Sequence, residues 1–228
     1  MKKSCWMYIL FLIIIAGDLT GEATGIKLLD YIFKPLIIPW IAGFFLFHSE
    51  NIDYPVKKLI LWALLFSWLG DISLMLTHIG GLFFKAGLLC FLVAQVFYIL
   101  LYLKTITLSG KRAFLKRQPY WGMFYFAYGL FFYILLFNQL DIVLRFAVPV
   151  YIMGLLGMSA MALNRLGNGH PVSFTFVFGG SLLFVASDSM IAINSFLIAV
   201  PFEGLLIMSA YIAAQYLIMR GILKQYEQ

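Results

Sequence analysis

Residues 64–76 read Leu-Leu-Phe-Ser-Trp-Leu-Gly-Asp-Ile-Ser-Leu-Met-Leu, and residues 181–193 read Ser-Leu-Leu-Phe-Val-Ala-Ser-Asp-Ser-Met-Ile-Ala-Ile. Both stretches belong in hydrocarbon, and each carries one carboxylate in its middle, Asp71 or Asp188. A charge at that depth costs several kcal/mol or more unless it is paired or wetted, so such residues usually face a bundle interior and mark a site. Two of them suggest acid–base chemistry inside a membrane.

Working outward, the 228-residue chain is 63% hydrophobic and only 11% charged. Soluble domains carry roughly 25% charged residues, so the composition is that of a polytopic membrane protein. Apolar runs of about 20 residues, the length a span needs, fall at Ser4–Leu19, Tyr31–His48, Val56–Thr77, Leu82–Leu103, Pro119–Phe137, Ile142–Leu163, Val172–Phe196 and Phe202–Leu223. The expected fold is an all-α, polytopic membrane helix bundle of about eight transmembrane helices, forming a single integral membrane domain over residues 1–228. Lys2-Lys3 and the apolar run after them imitate a signal peptide, but no convincing small-x-small site follows, so this run is read as a retained first helix.

The bases set the orientation. Lys2, Lys3, Lys57, Lys58, Lys104, Lys111, Arg112, Lys116, Arg117, Arg165, Arg220 and Lys224 fall on one side, against Lys27, Lys34, Lys85 and Arg145 on the other. That asymmetry predicts both termini in the cytoplasm. Asp71, Asp188 and Lys34 then lie about 9, 12 and 6 Å in from the outer helix ends, in one layer. The formal net charge of +6 reads as topology and attraction to anionic headgroups. No stripe of bases interleaved with aromatics suggests nucleic acid.

A weak internal repeat is visible. Pro35, Asp71 and Gln95 recur as Pro149, Asp188 and Gln215 at offsets of 114, 117 and 120 residues by subtraction, and Val93-Ala94-Gln95 resembles Ala213-Ala214-Gln215. Four helices per half make the repeat parallel, so both aspartates enter from the same side. Coincidence within a limited apolar alphabet is the competing explanation.

Around the aspartates, helical spacing puts Ser67, Asp71 and His78 on one face of the third helix. Ser181, Asp188 and Ser195 follow at i+7 steps in the seventh, with Ser187 and Asn194 alongside. Phe91, Gln95, Tyr98 and Tyr102 share a face of the fourth, and Tyr211 and Gln215 lie one turn apart in the eighth. Together they outline a polar, aromatic-lined cleft. For any one Ser, Gln or Tyr, packing and hydrogen bonding between helices is the plainer role. Tyr8, Trp40, Tyr120 and Trp121 read as interfacial belts. Lys34, followed by Pro35, either snorkels to headgroups, balances an aspartate or binds a lipid phosphate.

Two carboxyl groups in one low-dielectric pocket do not both ionise easily, which leaves a proton donor beside a carboxylate. No GxSxG elbow, HExxH pair, Walker loop or dinucleotide fingerprint is present, so serine-esterase and zinc-protease chemistry has little support. His48, His78 and His170 are scattered, and Cys5 and Cys90 show no metal or disulfide spacing.

At Phe33-Lys34-Pro35-Leu36, Gly70-Asp71, Gly180-Ser181-Leu182-Leu183-Phe184 and Ser187-Asp188 the chain resembles the YhhN-like family, the lysoplasmalogenases. Phe91, Tyr98 and Gln215-Tyr216-Leu217-Ile218 fit the same pattern. The resemblance runs from the second helix to the eighth. It implies hydrolysis of the vinyl-ether bond of a lysoplasmalogen, an alkenyl lysophospholipid, to a fatty aldehyde and a glycerophospho-base. Asp71 and Asp188 are then catalytic, and Lys34, Ser67, Gln95, Tyr98, Ser187, Asn194, Tyr211 and Gln215 shape the substrate cleft. It implies no metal; no cofactor is expected, and the expected location is a bacterial inner (cell) membrane. Members often carry His near Gln95; Gln orients water or a headgroup but does not titrate. A proton-coupled transporter of small molecules or lipids is the competing class, since parallel repeats and buried carboxylates suit it too. A membrane scaffold explains neither aspartate. Headgroup preference and oligomeric state are not legible.

Overall fold

The structure, a computed structural model, describes residues 2–109 and 113–227. Lys111 and Arg112, and the side chains of Lys2 and Lys3, all used above for orientation, lie outside what is described. Among the described residues there are nine α-helices and no strands: α1 Lys2–Thr24, α2 Lys27–His48, α3 Tyr54–Met75, α4 Gly81–Ser109, the short α5 Phe114–Arg117, α6 Trp121–Leu136, α7 Ile142–Leu163, α8 Pro171–Phe196 and α9 Glu203–Tyr226. All but α5 are long and apolar enough to cross a membrane, α6 together with the 3-10 turn Phe137–Gln139 that continues it, which gives eight spans.

The two halves pack in a similar order. Within each half the helices pack in sequence, α1 on α2 on α3 on α4, then α6 on α7 on α8 on α9. The halves meet where α4 packs on α7 and where α9 packs on both α2 and α1. With α7 the counterpart of α2 and α9 that of α4, the α4–α7 and α9–α2 interfaces correspond, whereas the α9–α1 interface belongs to one side alone. The aspartate helices α3 and α8, third and seventh among the spans, run in the same direction.

Small residues let the helices approach, as they must where lipid provides no hydrophobic drive to associate. A Cβ on Gly17 would lie 2.4 Å from the Phe33 ring, so α1 rides directly on α2. A Cβ on Gly180 would lie 2.8 Å from the Ala214 carbonyl oxygen, so α8 and α9 touch backbone to backbone.

The prolines show the same accounting in both halves. Pro39 has no N–H to give the Pro35 carbonyl one turn back, and Pro149 has none for Arg145. In hydrocarbon such orphaned carbonyls need another donor. Trp68 Nε1 of α3 donates to the Pro35 oxygen at 2.9 Å, and the Tyr133 hydroxyl of α6 donates to the Arg145 oxygen at 3.0 Å.

Four features differ from the sequence reading. Helix α1 continues through Gly-Glu-Ala-Thr to Thr24 and stops at Gly25, whose φ of +72° suits the left-handed residue after a helix. Helix α3 ends at Met75, which leaves His78 exposed beyond it, 3.4 Å from the Tyr31 hydroxyl. Trp40 belongs to the core rather than to an interfacial belt, because it stacks on Phe11 with ring centroids 3.9 Å apart. Arg165, counted above only as a base on the cytoplasmic side, is buried. It is 1% exposed, donates to Ser173 Oγ at 2.8 Å and lies over the Tyr102 ring, and burial pushes its pKa down to about 10.

Candidate functional site

Asp71 of α3 and Asp188 of α8 are 5% and 7% exposed, and both line one cavity of about 200 Å³. Lys34, Ser187, Asn194 and Tyr211 line it as well, together with Glu22 and Glu203, which the sequence reading did not weigh. The bundle therefore converges four carboxylates, a lysine and a tyrosine on one polar chamber.

Behind Asp71 runs a chain of buried hydrogen bonds. The Tyr211 hydroxyl donates to Asp71 Oδ2 at 2.8 Å. Gln215 Nε2, one turn along α9, donates to the Tyr211 oxygen at 3.3 Å and to Ser67 Oγ at 3.0 Å, while Tyr98 donates to Gln215 Oε1 at 2.5 Å. Ser67, Tyr98 and Gln215 are 0% exposed. They sit a layer behind the cavity, holding Tyr211 and Asp71 in place. Gln95 is also 0% exposed, packed against Gly154 with the Tyr151 hydroxyl beside it, and does not line the chamber.

Asp188 is held differently. Its Oδ2 accepts a short hydrogen bond from the Tyr151 hydroxyl of α7. Its neighbour Ser187 donates to the Ile207 carbonyl at 3.1 Å, and Asn194 Oδ1 accepts from the Val200 N–H at 2.9 Å, fixing the turn after α8. Tyr151 was missed because a tyrosine in an apolar helix carries no distinctive spacing; its place two residues after the repeated Pro149 was the available signal.

Lys34 does not pair with either central aspartate. Its ammonium donates to Glu22 at 2.9 Å, with both side chains 18% exposed. The extra turn of α1 brings Glu22 there.

A second, apolar cavity adjoins the first. It measures about 70 Å³ and shares Leu74, Phe91, Asp188 and Ile191 with the polar chamber. Phe84, Phe132 and Val148 are among its other walls, and the exposed Tyr128 stands at its edge. Asp188 borders both spaces, whereas Asp71 borders only the polar one.

Fold and site together define a class: a polytopic helical membrane protein with an acidic chamber lined by its spans and an apolar groove beside it. The chain belongs to the YhhN family, whose model matches residues 29–222. It is similar to the human protein named Lysoplasmalogenase TMEM86A, with 31% identity over 223 residues that cover 95% of this chain and 84% of that protein. The bovine protein of the same name is 31% identical over 189 residues, covering 81% and 73%. No solved structure gives a significant match.

Proposed function

We propose that this protein hydrolyses the vinyl-ether bond of lysoplasmalogens, releasing a fatty aldehyde and a glycerophospho-base, with Asp71 and Asp188 as its acid–base pair. The observation that carries the reading is the shared wall of a polar chamber and an apolar groove with a carboxylate on it. An amphiphile seated across that wall puts its headgroup in the chamber, its chain in the groove and the atoms between them at the aspartates. The activity named for the human and bovine relatives supports the same substrate class.

In this reading Asp188 is the acid. The vinyl-ether carbon remote from oxygen lies on the chain side, and Asp188 is the carboxyl group that faces the groove. Protonated, it gives its proton to that carbon and leaves an oxocarbenium ion. Asp71, ionised and on the headgroup side, takes a proton from water as the water adds to the carbon bonded to oxygen. The resulting hemiacetal then collapses. Its hydroxyl proton goes to Asp188, Asp71 protonates the departing glycerol oxygen, and both groups return to their starting states. Positioned proton transfer of this kind contributes about 10²–10⁴-fold in rate. Lys34, held by Glu22 at the chamber wall, faces the phosphate.

The basic asymmetry supports both termini in the cytoplasm, which sets the chamber toward the outer leaflet. We read the membrane as a bacterial cell membrane.

The test is mass spectrometry of the purified protein incubated in detergent with choline and ethanolamine lysoplasmalogens. Aldehyde and glycerophospho-base are expected from the wild type, and about 10²–10⁴-fold less of both from folded Asp71→Asn or Asp188→Asn. Intact substrate with the wild type, together with substrate-driven proton movement in vesicles, would instead identify a transporter.

A further inference from the structure

At the chamber wall, outside the acid–base pair, the α1–α2 hairpin gathers charged groups of which the proposed reaction uses only Lys34 and its partner Glu22. Asp18 and Glu22 lie one turn apart on α1, and Asp30 and Lys34 one turn apart on α2. One oxygen from each of Asp18, Glu22 and Asp30 lies within 4.8 Å of the others. Asp18 is the decisive member. It is 0% exposed, it is aimed at the other two carboxylates, and neither of its oxygens has a hydrogen-bond partner. Asp30 Oδ1 is buried without one as well. Buried carboxylates are normally paired or bound to a metal, because a lone buried charge is so costly. The central aspartates obey that rule through their tyrosines; Asp18 does not.

The backbone makes room for the cluster. A Cβ on Gly21 would lie 2.1 Å from Asp30 Oδ1, and a Cβ on Gly204, at the start of α9, would lie 1.8 Å from Glu22 Oε2. Both glycines let carboxylate oxygens crowd against neighbouring helices. Three carboxyl groups share one ammonium, that of Lys34, and only Glu22 is paired with it.

We propose that Asp18, Glu22 and Asp30 bind one divalent cation of the hard, oxygen-seeking kind, with calcium the best fit. An all-carboxylate donor set selects such ions. Calcium, ligated at about 2.3–2.6 Å in flexible geometry, accepts an irregular set of carboxylates more readily than magnesium, which demands a near-ideal octahedron. The ion pairs with the carboxyl groups that Lys34 does not and ties the end of α1 to the first turn of α2. It thereby braces the wall from which Lys34 faces the chamber. The proposal runs against the family resemblance, which implies no metal, and stands independently of the proposed reaction.

The test uses the full chain in detergent, stripped with EDTA and titrated with CaCl₂ and separately with MgCl₂ by calorimetry, with melting followed in parallel. Saturable one-to-one calcium binding is expected, tighter than magnesium, with a melting temperature that rises with calcium concentration. Asp18→Asn and Asp30→Asn should each weaken calcium binding by at least about tenfold. Gly21→Ala keeps every carboxylate but fills the cradle, so it should weaken binding too, which supplies a second variant if Asp18→Asn fails to fold. Cooperatively melting wild-type protein that shows no saturable calcium binding overturns the proposal. So does undiminished binding by folded Asp18→Asn.

Discussion

In the first half of the molecule Asp71 lies at the end of a relay: Tyr211 donates to it, and Gln215, Ser67 and Tyr98 hold Tyr211 from behind. In the second half Asp188, its counterpart by the repeat, has Tyr151 as its hydrogen-bond donor and looks into both the polar chamber and the apolar groove. The residue type and register are shared; the surroundings are not. A buried carboxylate fixed by a polar network has one side left for water and headgroup. A carboxylate bordering an apolar groove can reach the carbon end of a substrate. In the proposed reaction this difference is what assigns Asp188 the part of acid and Asp71 that of base.

The largest effects should come from removing either partner of that division. Asp71→Asn and Asp188→Asn should each lower turnover by about 10²–10⁴, read from aldehyde release with melting curves as the folding check. Equal loss leaves the assignment of roles open to the labelling experiment below. Wild-type turnover in both would end it.

The tyrosines come next. Tyr211→Phe and Tyr151→Phe each delete one hydrogen bond to a carboxylate, an interaction worth about 1.5–3 kcal/mol. Turnover should fall with little change in KM. Because Gln215 then loses its Tyr211 acceptor as well, Tyr211→Phe should also lower the melting temperature more than Tyr151→Phe.

A third pair probes packing. Gly70→Ala places a methyl 2.7 Å from the Phe91 ring, which can shift, whereas Gly180→Ala meets the Ala214 backbone oxygen at 2.8 Å, which cannot without moving α9. Overpacking costs about 1–3 kcal/mol, and Gly180→Ala should lie at the upper end by denaturation. The proline caps separate more mildly. Trp68→Phe strands the Pro35 carbonyl at about 1–3 kcal/mol, while the more exposed Arg145 carbonyl should tolerate Tyr133→Phe within about 0.5 kcal/mol.

The smallest effect is at the surface. Lys85, 2.8 Å from Asp141, and then the Leu144 N–H hold the Asp141 carboxyl below its ordinary value. The contribution of this pair is present above that ordinary value and is lost as the pH falls through the lower value of the folded state. A slight drop in melting temperature should therefore appear only in acid, below about pH 4, and be absent in Asp141→Asn.

Much of this was legible before any coordinates. A charge inside an apolar run announces itself, so Asp71 and Asp188 stood out, and α7 runs over the expected Ile142–Leu163. The α1 boundary was not legible, because Gly-Glu-Ala-Thr reads as a break by composition although the backbone continues helical to Gly25. With that turn misread, Glu22 could not be seen as the partner of Lys34, nor Asp18 and Asp30 as neighbours. Those contacts depend on how closely two helices approach. Ser67, Tyr98 and Gln215 were recognised as belonging together, but their place behind the chamber rather than on it depends on helix rotation. Arg165 counted only as a base on the cytoplasmic side because burial in a turn leaves no trace in spacing.

The measurement that tests the central claim most directly is hydrolysis of a lysoplasmalogen in D₂O, with the aldehyde trapped as it forms and its label located by mass spectrometry. Proton delivery to the chain-side carbon predicts a single deuterium on the carbon next to the aldehyde, and about 10²–10⁴-fold less of that product from Asp188→Asn. An aldehyde free of deuterium at that carbon, or the same labelled product at the wild-type rate from Asp188→Asn, would contradict the account.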